Sequence, residues 1–388
     1  MFSSVDKYLS YINENNDRSV ILPLREQSEV TIDLAKLGYG KRLRKALLPL
    51  LRDMIPGWEG VTSESHIQVE QITGSYTNSV FCVKKNLLDD AKTQKVLLRI
   101  YGNGVDQLID REGELLTLRM LSSVKIGPQL LGIFKNGRFE QFLESKPLTK
   151  DDLCMAPVSR HIACRMFQLH KIVNIFPPKK DVIPEVWVNI DRWYPLACKA
   201  VKPDNKEALR LLNLLKDEIP RLKSMLFKVN SPIVFAHNDT QYGNILRLAD
   251  ESNQLVVVDF EYAGYNYRGF DIGNHFCEWG YDYSGPEPHV FHREWFPTED
   301  EQYNFLSAYL EAQDQELGFV TRDQLTLQKM RVECNAFSLA SHVLWGVWGI
   351  IQAAQSEISF DYLSYGIQRL QAFEDYKEGI YNQILEHF

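Results

Sequence analysis

The hydrophobic pattern of this 388-residue chain changes period near Pro147. Before that point the period is two. Ile67-Gln68-Val69-Glu70-Gln71-Ile72 alternates apolar and polar residues, the pattern of a half-buried strand. A polar turn, Thr73-Gly74-Ser75-Tyr76-Thr77-Asn78, leads into Val80-Phe81-Cys82-Val83, so the pair reads as a β-hairpin. Residues 95–100 predict a third strand, and 130–134 with 139–143 a further pair. Leu115, Leu118 and Leu121 stand three apart and predict a helix over 112–123 that Gly127-Pro128 ends. The first 143 residues thus read as an antiparallel sheet with one helix packed on it. Upstream, residues 33–53 carry leucines at helical spacing around a basic patch, Lys41-Arg42-Leu43-Arg44-Lys45, which reads as a solvated helix face.

After Pro147 the period becomes helical. Ile162, Met166, Leu169 and Ile172 share one face, and residues 208–227 are leucine-rich, with Pro220 expected to kink or break them. Two short apolar runs, Ile233-Val234-Phe235 and Leu255-Val256-Val257-Val258, read as strands that each end in a charged cluster. The predicted fold class is α+β with two lobes: residues 1–143, a small antiparallel sheet, and residues 144–388, larger and mainly helical. A sheet lobe, a helical lobe and two strand-to-charge junctions form the layout of a protein-kinase-like fold.

Composition removes several alternatives. The net charge of −8 argues against a nucleic-acid partner, because a polyanion requires a basic field. No run approaches the ~18 apolar residues of a membrane span, the densest being Val343 to Ile351, so a membrane-spanning chain is not expected. No basic-then-apolar leader is visible at Met1-Phe2-Ser3-Ser4-Val5-Asp6-Lys7. Six cysteines without C-x-x-C spacing read as buried reduced thiols, and the expected location is the cytoplasm. The sequence leaves the oligomeric state open, a homodimer included. His289 and His292 read as a surface loop rather than a metal pair, and His161 and His170 as ordinary helix residues.

The chemistry concentrates at the two junctions. The first reads His237-Asn238-Asp239-Thr240-Gln241-Tyr242-Gly243-Asn244, the second Asp259-Phe260-Glu261. Phosphoryl transfer needs a carboxylate that orients the attacking hydroxyl and oxygen ligands that hold Mg²⁺ on the phosphates. Asp and Asn five residues apart after a strand match the catalytic loop H-R-D-x-x-x-x-N, with Asn238 in place of Arg. A second Asp, about fifteen residues beyond Asn244, stands where kinases carry D-F-G.

The run Asp259-Phe260-Glu261-Tyr262-Ala263-Gly264-Tyr265-Asn266-Tyr267-Arg268-Gly269-Phe270-Asp271-Ile272-Gly273-Asn274-His275-Phe276-Cys277-Glu278-Trp279 resembles the signature of the choline/ethanolamine kinase family. The resemblance extends from about Ile72 to the C-terminus. It implies ATP- and Mg²⁺-dependent phosphorylation of a small amino alcohol, usually the first step of phosphatidylcholine or phosphatidylethanolamine synthesis. It further implies Asp239 as the catalytic base, Asn244 and Asp259 as Mg²⁺ ligands, and Arg99 at the position of the kinase β3 lysine. Glu114 is the expected ion-pair partner of Arg99, with Glu112 as the fallback. The hairpin tip, Thr73, Gly74, Ser75, Thr77 and Asn78, resembles the phosphate-covering loop, with Ser75 where the family often has a second Gly. Gln141 and Leu143 fall at the expected inter-lobe hinge that binds adenine, and Gln241 follows the catalytic Asp. The family's Pro-Ser-Arg after the hinge is replaced by Glu144-Ser145-Lys146.

A quaternary ammonium cannot donate a hydrogen bond and is best bound by aromatic faces with a carboxylate nearby. Trp345 and Trp348, at i and i+3, share a helix face, and by spacing alone that stripe reads as core. The resemblance instead assigns Trp345, Trp348, Phe360 and Tyr365 to choline binding, with Asp239, Gln241, Glu278 and Tyr283. His237 is expected to buttress the loop and Asp271 to orient it. The expected activity is therefore choline phosphorylation. The alternatives are an ethanolamine kinase, a kinase of another small alcohol such as an aminoglycoside or methylthioribose, and a catalytically inactive scaffold.

Overall fold

The computed structural model describes residues 24–27, 29–72, 78–86, 94–101, 111–250, 252–356 and 358–388. The chain forms two units, Met1–Glu144 and Ser145–Phe388.

The first unit contains strand β1 (Arg25–Gln27), helices α1 (Leu34–Leu37) and α2 (Lys41–Met54), and strands β2 (Ile67–Ile72), β3 (Asn78–Lys85) and β4 (Lys95–Tyr101). Helix α3 (Arg111–Ser123) and strands β5 (Leu130–Phe134) and β6 (Gly137–Gln141) complete it. The sheet order is β1-β5-β6-β4-β3-β2. It is antiparallel apart from its edge, where β1 pairs with β5 in parallel, a departure from the wholly antiparallel sheet expected. The helix that fills this core is also not the one expected. Leu43, Leu47, Leu50, Leu51 and Met54 of α2 form one stripe and join Phe81, Val83, Val96, Leu98, Ile100 and Phe139 of the strands. Each such buried side chain contributes about 1.5–3 kcal/mol. Lys41, Arg42 and Lys45 stay exposed on the opposite side of α2.

The second unit begins with β7 (Ser145–Pro147), α4 (Lys150–Cys154), α5 (Ala156–His170), α6 (Glu185–Ala200) and α7 (Lys206–Val229). Helix α7 runs unbroken through Pro220, because its stripe Leu211, Leu215, Ile219, Leu222 and Leu226 is buried on both sides of the proline. Four short strands follow: β8 (Ile233–Ala236), β9 (Ile245–Leu248), β10 (Leu255–Val257) and β11 (Gly264–Tyr267). Strand β8 pairs with β11, and β9 lies between β10 and β7. The sequence reading lacks β9, whose Ile-Leu-Arg-Leu is too short to show a period. Helices α8 (Arg268–Glu278), α9 (Glu299–Leu317), α10 (Gln324–Gln355) and α11 (Tyr362–His387) end the unit.

Helix α10 corrects the expectation that no segment is long and apolar enough to cross a membrane. Its best 18-residue window has a mean hydropathy of 1.3, and 89% of that window is buried inside the fold, as in a core helix. The cysteine reading is also corrected: Cys82, Cys277 and Cys334 are buried, but Cys154 and Cys198 are exposed and Cys164 is half-buried.

Two features of this unit make its positions testable. Helices α10 and α11 cross where glycines allow their backbones to touch. A Cβ on Gly366 would lie 2.7 Å from the Gly346 carbonyl and 3.0 Å from the Ile350 nitrogen. Those atoms are backbone and cannot rotate away, so Gly366→Ala is expected to destabilise the protein by about 1–3 kcal/mol in urea unfolding. An unchanged midpoint would mean that the helices separate freely.

The second feature is His275 on α8. It is wholly buried, its Nδ1–H donates to the Thr240 carbonyl (2.9 Å), and its Nε2 accepts from the Trp279 indole (3.4 Å). A proton on Nε2 would face that N–H donor. Burial pulls the imidazole down to about 4, against the opposing pull of the Thr240 carbonyl and Asp271. Between about pH 4 and the ordinary 6.5 the unfolded chain therefore binds a proton that the folded one does not. Stability should fall as pH drops through this window, by up to about 1.4 kcal/mol per pH unit. His275→Asn keeps an amide donor for Thr240 without titrating, and its pH slope should be flatter by that amount. Equal slopes would show that His275 is not held neutral.

Candidate active site

The His237–Gln241 segment leaves β8 and is held from beneath by α8. Asp271, fully buried, accepts the backbone N–H of His237 at 2.9 Å and of Asn238 at 2.8 Å. It also takes the His170 Nε2–H at 2.9 Å, while His170 Nδ1 meets the Tyr309 hydroxyl at 2.8 Å. His170 is therefore a buried link in this network and not an ordinary helix residue. Burial alone would raise the Asp271 carboxyl, but the hydrogen bond and charge of His170 and the contacts to His237 hold it below the usual range.

Asn238 takes a left-handed backbone, φ +68°, a region that asparagine enters more readily than arginine. Its amide donates to the Tyr262 carbonyl (2.8 Å) and accepts from Asn266 (2.7 Å). That conformation suits an asparagine at this position. His237 is buried, sits 2.9 Å from the Val258 carbonyl through Nε2, and accepts the Asp239 N–H at Nδ1 (3.3 Å). Burial pushes its imidazole down, so it is neutral.

Asp239 follows at the end of this turn. The Asn244 amide donates to both its carboxylate and its backbone carbonyl, each at 2.9 Å. Pairing of β9 with β10 brings the second junction alongside, with the Val258 N–H on the Asn244 carbonyl at 2.9 Å. Asp259 comes next, with a left-handed φ of +66°. Asp239, Asn244 and Asp259 are thus gathered by two short strands. Burial, then the charges of Glu278 and Asp259, raise the Asp239 carboxyl well above its ordinary value. The cluster gathers oxygen donors of the kind a hard cation takes.

The aromatic residues form a connected wall. Trp345 lies 5.2 Å from Tyr262 and 5.4 Å from Trp348, both edge to face. Trp348 reaches Tyr365 at 6.3 Å, and Tyr365 reaches Phe360 at 5.8 Å. Asn274 ties this wall to the loop: its Oδ1 accepts the Trp345 indole N–H (2.8 Å) and the Ser341 hydroxyl (2.7 Å), and its Nδ2 donates to the Asn238 carbonyl (3.3 Å). Tyr262, whose indole partner is Trp348 at 3.2 Å, is driven well above its ordinary range by burial and then by Glu261, Asp239 and Asp259. Wall and carboxylates therefore share one region.

Glu278 and Gln241 are engaged differently from expectation. Glu278 is 2% exposed, and both of its oxygens meet protein donors: the Tyr283 hydroxyl at 2.8 Å on Oε2 and Arg369 on Oε1. Gln241 turns its amide oxygen back to the Gly243 N–H at 2.9 Å, capping the short turn that carries Asn244.

In the first unit Arg99 stands opposite Arg138 across β4 and β6. Two facing guanidiniums need two carboxylates. Glu140 supplies one, 3.5 Å from Arg99 and 2.6 Å from Arg138, and Glu114 the other, 2.8 Å from Arg138. All four are buried, whereas Glu112 is exposed, so Glu114 is the acid of α3 that faces inward. Burial works against the Arg138 charge, and Glu140 and Glu114 hold it well above its ordinary value. Arg99 and Glu114, expected to pair with each other, are thus linked here through Glu140 and Arg138 in a four-residue network. Gln141 is exposed and accepts the Gln129 N–H (3.3 Å); Leu143 follows the end of β6. Thr73, Gly74, Ser75 and Thr77, with the side chain of Asn78, lie outside the described residues.

Sequence reasoning missed Arg138, Asn274 and Arg369. Each left a signal. Arg138 and Glu140 are two apart on one strand, hence on one face, and Arg369 is four residues after Tyr365 on a helix. Asn274 and Glu278 fall at i+3 and i+7 from Asp271.

The description choline/ethanolamine kinase belongs to the family profile that matches residues 69–374. The Arabidopsis thaliana protein named probable choline kinase 2 is 35% identical over 332 residues, covering 86% of this chain and 92% of its own. A probable ethanolamine kinase of the same plant is 34% identical, covering 88% and 87%. The crystal structure of choline kinase from Cryptosporidium parvum superimposes with a TM-score of 0.75 at 30% identity, covering 87% of this chain and 96% of that one. The fold is the protein-kinase-like α+β fold, and the chain belongs to the choline/ethanolamine kinase family of phosphotransferases.

Proposed function

We propose that this enzyme transfers the γ-phosphoryl group of ATP to the hydroxyl of choline in preference to ethanolamine, the step that commits choline to phosphatidylcholine synthesis. The observation that carries the preference is the linked wall of Trp345, Trp348, Tyr365 and Phe360 close to Asp239. Ring faces attract a trimethylammonium without requiring hydrogen bonds from it. They leave the three N–H donors of ethanolamine with few acceptors, at about 1–3 kcal/mol for an unmet buried donor.

Asp239 orients the alcohol and accepts its proton, and the Asn244 amide fixes the rotamer of that carboxylate. The donor set fits Mg²⁺. Asn244 uses its nitrogen on Asp239, so its amide oxygen, with the Asp259 carboxylate, offers the hard donors this ion takes. When bound, the ion would neutralise charge on the phosphates. In the first unit Arg99 would act on phosphate oxygens, held in place by Glu140 and the Arg138–Glu114 pair.

Two outcomes test the assignment of roles. Asp239→Asn should lower kcat by at least about 10²-fold with ATP binding largely kept. Asp259→Ala should abolish turnover at Mg²⁺ concentrations that saturate the wild type. Near-normal turnover in the first variant, or an unchanged Mg²⁺ half-saturation in the second, would remove these residues from the mechanism. The substrate is decided by competition. With both alcohols at equal concentration, phosphocholine should exceed phosphoethanolamine by roughly ten- to a hundredfold. A product that is mostly phosphoethanolamine would overturn the choline reading and leave the family intact.

A further inference from the structure

Beneath the aromatic wall lies a charged pair that the mechanism above does not use. Arg369 has no exposed surface and Glu278 has 2%. The guanidinium is sandwiched between Tyr281 and Tyr365, 4.9 and 5.5 Å from their ring centres, and its Nε–H donates to the Tyr365 hydroxyl at 3.3 Å. Tyr365 is also a member of the wall. Its neighbour His342, 3.5 Å from Arg369, is kept neutral by burial and by the Arg369 and Arg293 charges, so it adds no second cation.

We propose that Arg369 is a positioning residue for substrate choice: it cancels the charge of Glu278, so the pocket selects its alcohol by the apolar bulk of the cation and not by a carboxylate. The inference rests on the reading of this region as the amino-alcohol site. Two observations carry it. Both Glu278 oxygens are committed, to Arg369 and to the Tyr283 hydroxyl, which leaves poor acceptors for a primary ammonium. The fork of Arg369 is fixed by two rings, so the pair cannot open by rotation of one side chain.

A double-mutant cycle tests this with Arg369→Met, Glu278→Gln and the combined variant, each assayed with choline and ethanolamine. Arg369→Met leaves Glu278 an unmatched acceptor beside the pocket. Absolute rates should fall for both alcohols, but the ratio of kcat/KM for choline to that for ethanolamine should fall about tenfold or more, since only ethanolamine can donate charge-assisted hydrogen bonds to the freed carboxylate. Glu278→Gln leaves an unmatched cation, and KM should rise about tenfold or more for both alcohols by repulsion. Adding Arg369→Met to Glu278→Gln should then lower KM again. The same substitution thus harms in one background and helps in the other.

An arginine with only a structural role would depress both alcohols by one factor in Arg369→Met and would not rescue KM in Glu278→Gln. Either result overturns the proposal. If Arg369→Met alone does not fold, the comparison of Glu278→Gln with the combined variant, which replaces a charge pair by a neutral pair, decides the matter. The cycle compares the same alcohol across proteins. A wild-type preference for ethanolamine would overturn the choline reading, while the sign of the rescue still reports on Arg369.

Discussion

The loop that carries Asp239 and the aromatic wall beside it both depend on one polar stripe that the protein buries. Asp271, Asn274, His275 and Glu278 fall at i, i+3, i+4 and i+7 of α8, so they share a face, and that face is sealed from water. Each residue holds one part of the site. Asp271 takes the backbone of His237 and Asn238, Asn274 binds Asn238 and Trp345, His275 holds Thr240, and Glu278 joins Arg369 on α11. A polar face in a dry interior is stable only when its members are satisfied, and a satisfied network in low dielectric is stiff. The stripe therefore sets loop and aromatic wall against one rigid element.

Much of this was legible in the residues. The strands around the hairpin and the two junctions were readable because each alternates or ends in charge. Asp239, Asn244 and Asp259 follow from their spacing. Other features were hidden for physical reasons. Strand β9 is four residues long and shows no period, yet its pairing is what brings Asn244 beside Asp259. Pro220 reads as a helix breaker, but local propensity yields to a leucine stripe that is buried on both sides of it. The engagement of Glu278 could not be read, because its partner lies 91 positions away on another helix.

Both units bury arginine, and both do so with carboxylates. In the first, two facing guanidiniums on β4 and β6 are balanced by Glu114 and Glu140; in the second, Arg369 is balanced by Glu278. Removing one member of such a group strands a charge away from water, which costs about 3–5 kcal/mol. These clusters accordingly tolerate paired change better than single change.

The aromatic wall is tied together by contacts between residues distant in the chain as well as by local ones. Asn274 meets Trp345 across 71 positions, and Tyr262 meets Trp348 across 86. The loop carrying Asp239 adds a local tie, to Asn244 five positions on, to its anchors on Asp271, which lie 33 and 34 positions away. Closing long loops costs entropy before any contact repays it. Neither loop nor wall is therefore complete until α8, α10 and α11 are packed. Any loosening of α8 would thus disorder the Asp239 loop and the aromatic wall together, and not one before the other.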